Sequence, residues 1–271
     1  MEKTKSMPYV AKLGYGMHVL GALIGCLGLY LALYPLGLMV GVLKHILRRP
    51  RGVLWVEDAL LTWFFQGICF FFSVRVQACN QSPWDRISKD RPVIFMSNHV
   101  SMFDIPILYQ VLPKRLRMIA MKEVFAYPLP GFALIMRMLG FIGIDATGQC
   151  GVRKSYQEAT QALVDWRVPL WMSPEGQLSN DGQLQAFKSG VFRLAQQSQA
   201  VIIPLVLSGS SRVLPKADWL QLRPRFGQQV QVHFGDPVDA KCYPTERMKL
   251  KAAVCHQMHG LMKLAQGGML E

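Results

Sequence analysis

The chain has 271 residues, enough to bury one full core with room for an appendage. Hydrophobic residues make up 51% and charged residues only 17%, and the formal net charge is +13. No block of five or more basic residues and no nucleic-acid motif accompanies that charge, so an anionic membrane surface and acidic soluble ligands are the expected partners, not nucleic acid.

Met1 to Lys12 is short and basic, and the twenty-five residues from Val19 to Leu43 carry no charge. As a helix that run extends roughly 37 Å, enough to cross a bilayer core. It is long for a signal peptide, and Lys44, Arg48, Arg49 and Arg51 follow it. Gly21, Gly25 and Gly28 are spaced for close helix packing, and Pro35 is expected to kink the segment. Ala59 to Val74 is a second, shorter apolar run, rich in aromatic residues. Basic residues flank both runs. Two spanning helices, a hairpin held in one leaflet, and two helices buried in a soluble core all remain open.

Beyond Cys79 the composition changes. Residues 80–91 read as a polar linker, and from Pro92 onward strands and helices alternate. Strands are expected near 92–97, 116–120, 141–145, 168–172, 201–207 and 229–234. Helices are expected near 102–111, 129–139, 152–166, 187–198 and 245–266. The fold class is therefore α/β, a largely parallel sheet flanked by helices, with an N-terminal apolar helical hairpin. The expected division is 1–79 for the membrane-associated hairpin and 80–271 for the α/β domain. The six cysteines are scattered and fit a reducing cytosolic location. Cys255, His256 and His259 cluster on a predicted helix but lack a fourth ligand, so no metal is expected.

Two stretches carry chemistry. Asn98-His99 follows an apolar strand, and Asp104 comes five residues after the histidine. In a continuous helix those two side chains would diverge by about 140°. With His99 in the turn and Asp104 in the first helical turn, the carboxylate fixes the imidazole tautomer and frees its other nitrogen for a proton. A plain helix cap by Ser97, Asn98 or Ser101 is the alternative. Ser173-Pro174-Glu175-Gly176 ends another strand, which places Glu175 at the same kind of edge, although a surface turn would look alike. Lys188 is expected in the first turn of the following helix, where it opposes the dipole unless an anion is near.

The order of these motifs resembles the glycerophospholipid acyltransferase family typified by bacterial 1-acylglycerol-3-phosphate acyltransferases. Asn98-His99 with Asp104 is similar to that family's first motif. Lys122-Glu123-Val124-Phe125 with Pro130-Gly131 is similar to the segment before the second motif, and Gly140 to Asp145 to the second motif itself. Pro174-Glu175-Gly176 with Phe187-Lys188-Ser189-Gly190 matches the third, and Val201 to Leu205 the fourth. The likeness covers residues 80–240. Two family arginines are replaced, by Ala146 after the second motif and by Leu178 in the third.

The resemblance implies transfer of a fatty acyl group from a thioester to a lysophospholipid hydroxyl. The most expected acceptor is 1-acylglycerol-3-phosphate, giving phosphatidic acid. His99 and Asp104 are the expected catalytic pair, with Asn98, Lys122, Glu175, Gly176 and Lys188 around the substrate. Backbone amides of the Glu175-Gly176 turn are expected oxyanion donors. No resident cofactor is implied. Acyl-CoA or an acidic acyl carrier protein would be the co-substrate, at the cytoplasmic face of the inner membrane. The lost arginines leave another lysolipid acceptor open, such as a lyso-ornithine lipid. They also leave open an inactive membrane-binding scaffold, and a hydrolase using the same base is a third reading.

Overall fold

A computed structural model describes residues 9–47, 55–122, 131–145, 148–179, 181–215 and 223–267. Helix α1 (Tyr9–Ile46) and helix α2 (Trp55–Phe71) form an antiparallel hairpin. There follow β1 (Arg75–Ala78), β2 (Val93–Ser97), α3 (Asp104–Val111), β3 (Arg117–Met121), α4 (Phe132–Met138), β4 (Ile142–Ile144), α5 (Gln149–Val164) and β5 (Leu170–Met172). The chain continues through α6 (Ser189–Ser198), β6 (Val201–Ser208), α7 (Ser210–Val213), β7 (Gln229–Phe234), β8 (Val238–Asp239) and α8 (Arg247–Gly267).

The strands build one sheet in the order β1-β7-β6-β2-β5-β3-β4, with β8 alongside β6. All pairings are parallel except β7 and β8 against β6. The parallel α/β class expected from the alternation is therefore present. Along β2 the pleat sends Val93 and Phe95 to one face and Ile94 and Met96 to the other. The first face is covered by α1, α2, α3 and α4, and the second by α5, α6 and α8. This gives a three-layer stack with β2 near its centre.

The expected boundary at residue 79 falls just after β1, which pairs Arg75 to Ala78 with Gln229 to Val232 at the sheet edge. The strand escapes sequence reading because it is four residues long and mostly exposed, so it has no apolar alternation. Strand β8 and helix α7 are likewise too short for a periodic signal.

Pro35 lies inside α1 without ending it. Of the three glycines expected to bring helices together, Gly25 does so, against the ring of Phe71, whereas Gly21 and Gly28 face open space. The other close approaches are at Gly67 against Leu29, Gly37 against Ile135 and Gly41 against Met138. Helix α1 also touches the α/β unit near both of its ends. The Tyr15 hydroxyl donates to the Pro224 carbonyl at 2.7 Å, and Lys44 Nζ to the Met138 carbonyl at 3.0 Å. These anchors are about 43 Å apart along the helix, so α1 lies against the domain and does not project away from it. Its outward stripe, Leu13, Met17, Leu20, Ile24, Leu27 and Leu31, remains exposed, as do Trp55, Trp63 and Phe70 of α2.

A buried ionic cluster pins this hairpin to the sheet. Lys44 Nζ lies 2.6 Å from Glu57 Oε1, and Arg117 Nη2 lies 2.8 Å from Asp58 Oδ1. Arg117, on β3, also donates to the carbonyls of Leu116 and Leu139. Two cations and two carboxylates balance, and burial holds the Asp58 carboxyl above its ordinary range despite the guanidinium beside it. Removing one partner leaves an uncompensated buried charge, which costs about 3–5 kcal/mol. Arg117→Met should therefore lower the thermal unfolding midpoint sharply in detergent, whereas the charge-balanced pair Arg117→Met with Asp58→Leu should recover most of the loss. Equal midpoints for the two variants would contradict this reading.

Candidate active site

The C-terminal ends of the parallel strands form one edge, where open α/β sheets gather their sites. His99 follows β2 directly, and α3 begins at Asp104. The histidine thus stands in the turn and the aspartate in the first helical turn, the arrangement their spacing requires. His99 Nδ1 and Asp104 Oδ2 are 2.8 Å apart. The same oxygen accepts the N–H groups of Val100 at 2.8 Å and Ser101 at 3.0 Å. Asp104 is fully buried, and its other oxygen is buried without a partner among the described residues. With Nδ1 held by a carboxylate, Nε2 is the ring nitrogen available to take and return a proton. The His99 side chain is 18% exposed, so substrate can reach it.

The imidazole is also set by Trp171 of β5, which meets it edge to face with centroids 5.6 Å apart. Trp171 Nε1 donates to Ser97 Oγ at 2.9 Å, so the indole is itself fixed. From the sequence, Trp171 is no more than one residue of the strand expected near 168–172. Its alignment with β2 (Phe95 opposite Trp171) is the signal that places it beside the histidine, and that register is not readable from sequence.

Glu175 is buried, at 1% exposure, and each of its oxygens accepts a backbone N–H. Oε1 takes that of His99 at 3.2 Å and Oε2 that of Gln185 at 2.8 Å. Burial raises its pKa, and the two amide donors and His99 only partly offset this. The His99 carbonyl in turn accepts the Ser179 N–H at 2.7 Å. The loop after β5 therefore grips the backbone of His99 on both sides, and Glu175 helps to position it. Gln185 and Ser179 were not singled out from the sequence, because their contribution is made by main-chain N–H groups.

Other expected site residues fall in different places. Asn98 is buried, and its amide exchanges two hydrogen bonds with the backbone of Leu207, at 3.0 and 2.8 Å. It ties β2 to β6 and leaves neither polar atom for a substrate. Gly176 has a φ of +65°, a conformation that favours glycine, and the end of the exposed Lys188 side chain lies over it. The Gly176 N–H closes the turn onto the Ser173 carbonyl at 3.1 Å, and the Glu175 N–H points to Ser173 Oγ at 3.3 Å. The oxyanion donors expected at these two amides are thus engaged within the turn.

Lys188 is the N-cap residue of α6, in an extended conformation just before the first turn where it was expected, and so still stands at the positive end of the helix dipole. Its Nζ lies 3.5 Å from the Gly176 carbonyl, at the exposed side of the site. Lys122 sits at the end of β3, paired with Asp145 at 2.9 Å and partly exposed. Ala146, Glu123 to Pro130 and Asn180 lie outside the described residues. Leu178 is half-buried in the loop after Glu175. Ser101 is fully buried, accepting the Phe103 N–H and donating to the Leu214 carbonyl, a structural tie with no nucleophilic access. Cys255 Sγ and His259 Nδ1 approach to 3.4 Å on α8, and among the described residues no group of three or more metal-ligating side chains forms.

Comparison with known proteins agrees with this geometry. Residues 74–208 match the family model described as Acyltransferase. Human 1-acyl-sn-glycerol-3-phosphate acyltransferase beta is 31% identical over 175 residues, covering 64% of this chain and 59% of the human one. The 1-acyl-sn-glycerol-3-phosphate acyltransferase of Cocos nucifera is 28% identical over 166 residues, covering 61% of this chain and 52% of its own. The chain thus spans a little over half the length of these two relatives. The crystal structure of the 1-acyl-sn-glycerophosphate (LPA) acyltransferase PlsC from Thermotoga maritima superposes with a TM-score of 0.72 over 93% of this chain and 97% of that one. At 21% identity that likeness shows a shared fold. The four ordered motifs, the matched stretch that contains all of them, and this fold place the chain in the glycerophospholipid acyltransferase family.

Proposed function

We propose that this protein acylates the free hydroxyl of a lysophospholipid from an acyl thioester, with 1-acylglycerol-3-phosphate as the acceptor. The observation that carries the reading is the His99–Asp104 pair at 2.8 Å, held at an accessible sheet edge where the neighbouring Ser97 and Ser101 are fully buried. His99 Nε2 takes the acceptor's hydroxyl proton as that oxygen attacks the thioester carbonyl. The tetrahedral intermediate then collapses, the C–S bond breaks, and the proton passes from His99 to the departing thiolate. Asp104 keeps the tautomer and balances the imidazolium charge. The acceptor is itself the nucleophile, so no acyl-enzyme is needed.

Lys188 supplies positive charge beside Gly176, where an acceptor phosphate has room to approach. As a lysine it offers a point charge without the bidentate fork of the arginine the family usually carries. Lys122 is already paired with Asp145 and is the weaker candidate. The exposed apolar stripe of α1, the exposed aromatics of α2 and the close docking of α1 along the domain fit a monotopic hairpin in one leaflet. Acyl chains can then stay in lipid while the hydroxyl reaches His99. The cytoplasmic face of the inner membrane is the side on which an acyl thioester would meet it.

Three outcomes are expected from thioester assays with a panel of lysolipids. His99→Ala abolishes transfer. Asp104→Asn, which presents a donor to three other donors, lowers kcat by about 10³–10⁴ with little change in KM. Lys188→Met raises KM for 1-acylglycerol-3-phosphate about tenfold, from the loss of one charged hydrogen bond, and leaves KM for the thioester unchanged. A marked preference for a lyso-ornithine lipid would move the acceptor assignment, and full activity in His99→Ala would remove the mechanism.

A further inference from the structure

The face of the sheet turned away from the hairpin carries an open groove of about 1230 Å³ between α5 and α6. One wall presents Arg153, Tyr156 and Gln157, and the other Gly190, Arg193 and Gln197. On each helix these lining positions recur at three- and four-residue intervals, so each wall is a single helix face. No carboxylate lines the groove among the described residues, and both arginines are exposed. The floor is closed by Tyr156, whose hydroxyl packs so near Gly190 that any side chain at 190 would collide with it. The small residue lets the helices approach at the bottom while the arginines stand apart at the rim.

The groove begins at the catalytic edge. Gly190 follows Lys188 by two residues, and Lys188 lies over the Gly176 turn that carries Glu175. The other wall starts at Gly148, just beyond β4 on the same edge. From Gln149 to Thr160 the α5 wall extends about 16 Å away from that edge.

We propose that this groove binds the coenzyme A portion of the acyl thioester, with Arg153 and Arg193 holding its phosphates and the pantetheine arm entering the site past Lys188. The inference rests on the acyl-transfer reading and deepens it by assigning the donor. The acceptor and the acyl chains belong with lipid on the hairpin side. The donor's handle is the one reactant part that is large, water-soluble and multiply anionic. Paired arginines on facing walls suit phosphate, which they engage through planar, bidentate donors. The groove exceeds the ~300–1,000 Å³ of drug-sized sites and has the room an extended nucleotide needs. A concave channel fits such a molecule better than the convex acidic helix of a carrier protein.

The test uses the full-length protein and the double variant Arg153→Glu/Arg193→Glu, whose exposed positions lie off the packed helix faces. Initial rates are measured with palmitoyl-CoA, its 3′-dephospho analogue and acyl carrier protein as donors, and binding of free CoA is followed by calorimetry. The double variant should raise KM for palmitoyl-CoA at least about tenfold, leaving kcat and KM for the lysolipid unchanged. It should also lose CoA binding, and the 3′-dephospho donor should be less sensitive to it. An unchanged donor KM, a rise in the lysolipid KM instead, or acylation from acyl carrier protein alone would overturn the proposal. A protein that binds CoA through both arginines but acylates no lysolipid would sustain the groove and remove the acceptor reading instead.

Discussion

One carboxylate oxygen sets the geometry on which the active edge depends. Asp104 Oδ2 accepts from His99 Nδ1, Val100 N and Ser101 N at once, so a single atom closes the turn and orients the base. Two backbone amides and the imidazole replace solvent around this oxygen, which lets the side chain sit fully buried. The turn therefore cannot relax without releasing the imidazole, and the imidazole cannot rotate without breaking the turn. The orientation of the imidazole and the local fold rest here on the same set of bonds.

The sheet order explains why this turn meets the loop that holds it. Strand β2 lies between β6 and β5, although the chain visits β3 and β4 before returning to β5. That late insertion brings the Ser173–Gly176 turn alongside His99, and lets Glu175 and Ser179 grip both sides of the histidine's backbone. On the other flank β6 arrives next, and Asn98 locks onto Leu207. Two segments that are distant in sequence thus converge on residues 98 and 99. Each does so with main-chain groups on at least one side, which tolerates a wide choice of side chains around the fixed few.

This pattern also separates what the sequence discloses from what it hides. The strands that flank the site were readable because each is an apolar run bounded by turn residues, and His99 with Asp104 was readable because the pair is local. The Glu175-Gly176 turn was readable too, but its amides were expected to face a substrate and instead close the turn. Hydrogen-bond partners inside a turn depend on exact dihedral angles, and residue types alone do not specify them. Asn98 differs for a related reason, since a polar residue beside the candidate histidine looks like a ligand until the neighbouring strand is known. The ionic cluster of Lys44, Glu57, Asp58 and Arg117 was invisible, because its members are up to 73 positions apart and each looks like an ordinary surface charge. Strand β1 was hidden by its own exposure, having no buried face to give it a period.

That cluster carries the last step of the argument. A hairpin that only anchored the protein could be joined by a loose linker, since tethering requires no fixed orientation. Here α1 and α2 instead share a buried core with α3 and α4, and Lys44 and Asp58 reach the end of α4 and the start of β3, at the sheet edge opposite His99. Buried charges of this kind contribute little net stability against an apolar replacement, but they accept only one relative placement of their partners. A rigid placement matters when one reactant is confined to lipid, because the depth of the apolar stripe then sets the depth of His99. The hairpin covers one face of the sheet and the arginine-lined groove opens on the other, with the histidine on the edge between them. A lipid-bound hydroxyl and a water-borne thioester would approach such an edge from opposite sides, without either having to leave its own solvent.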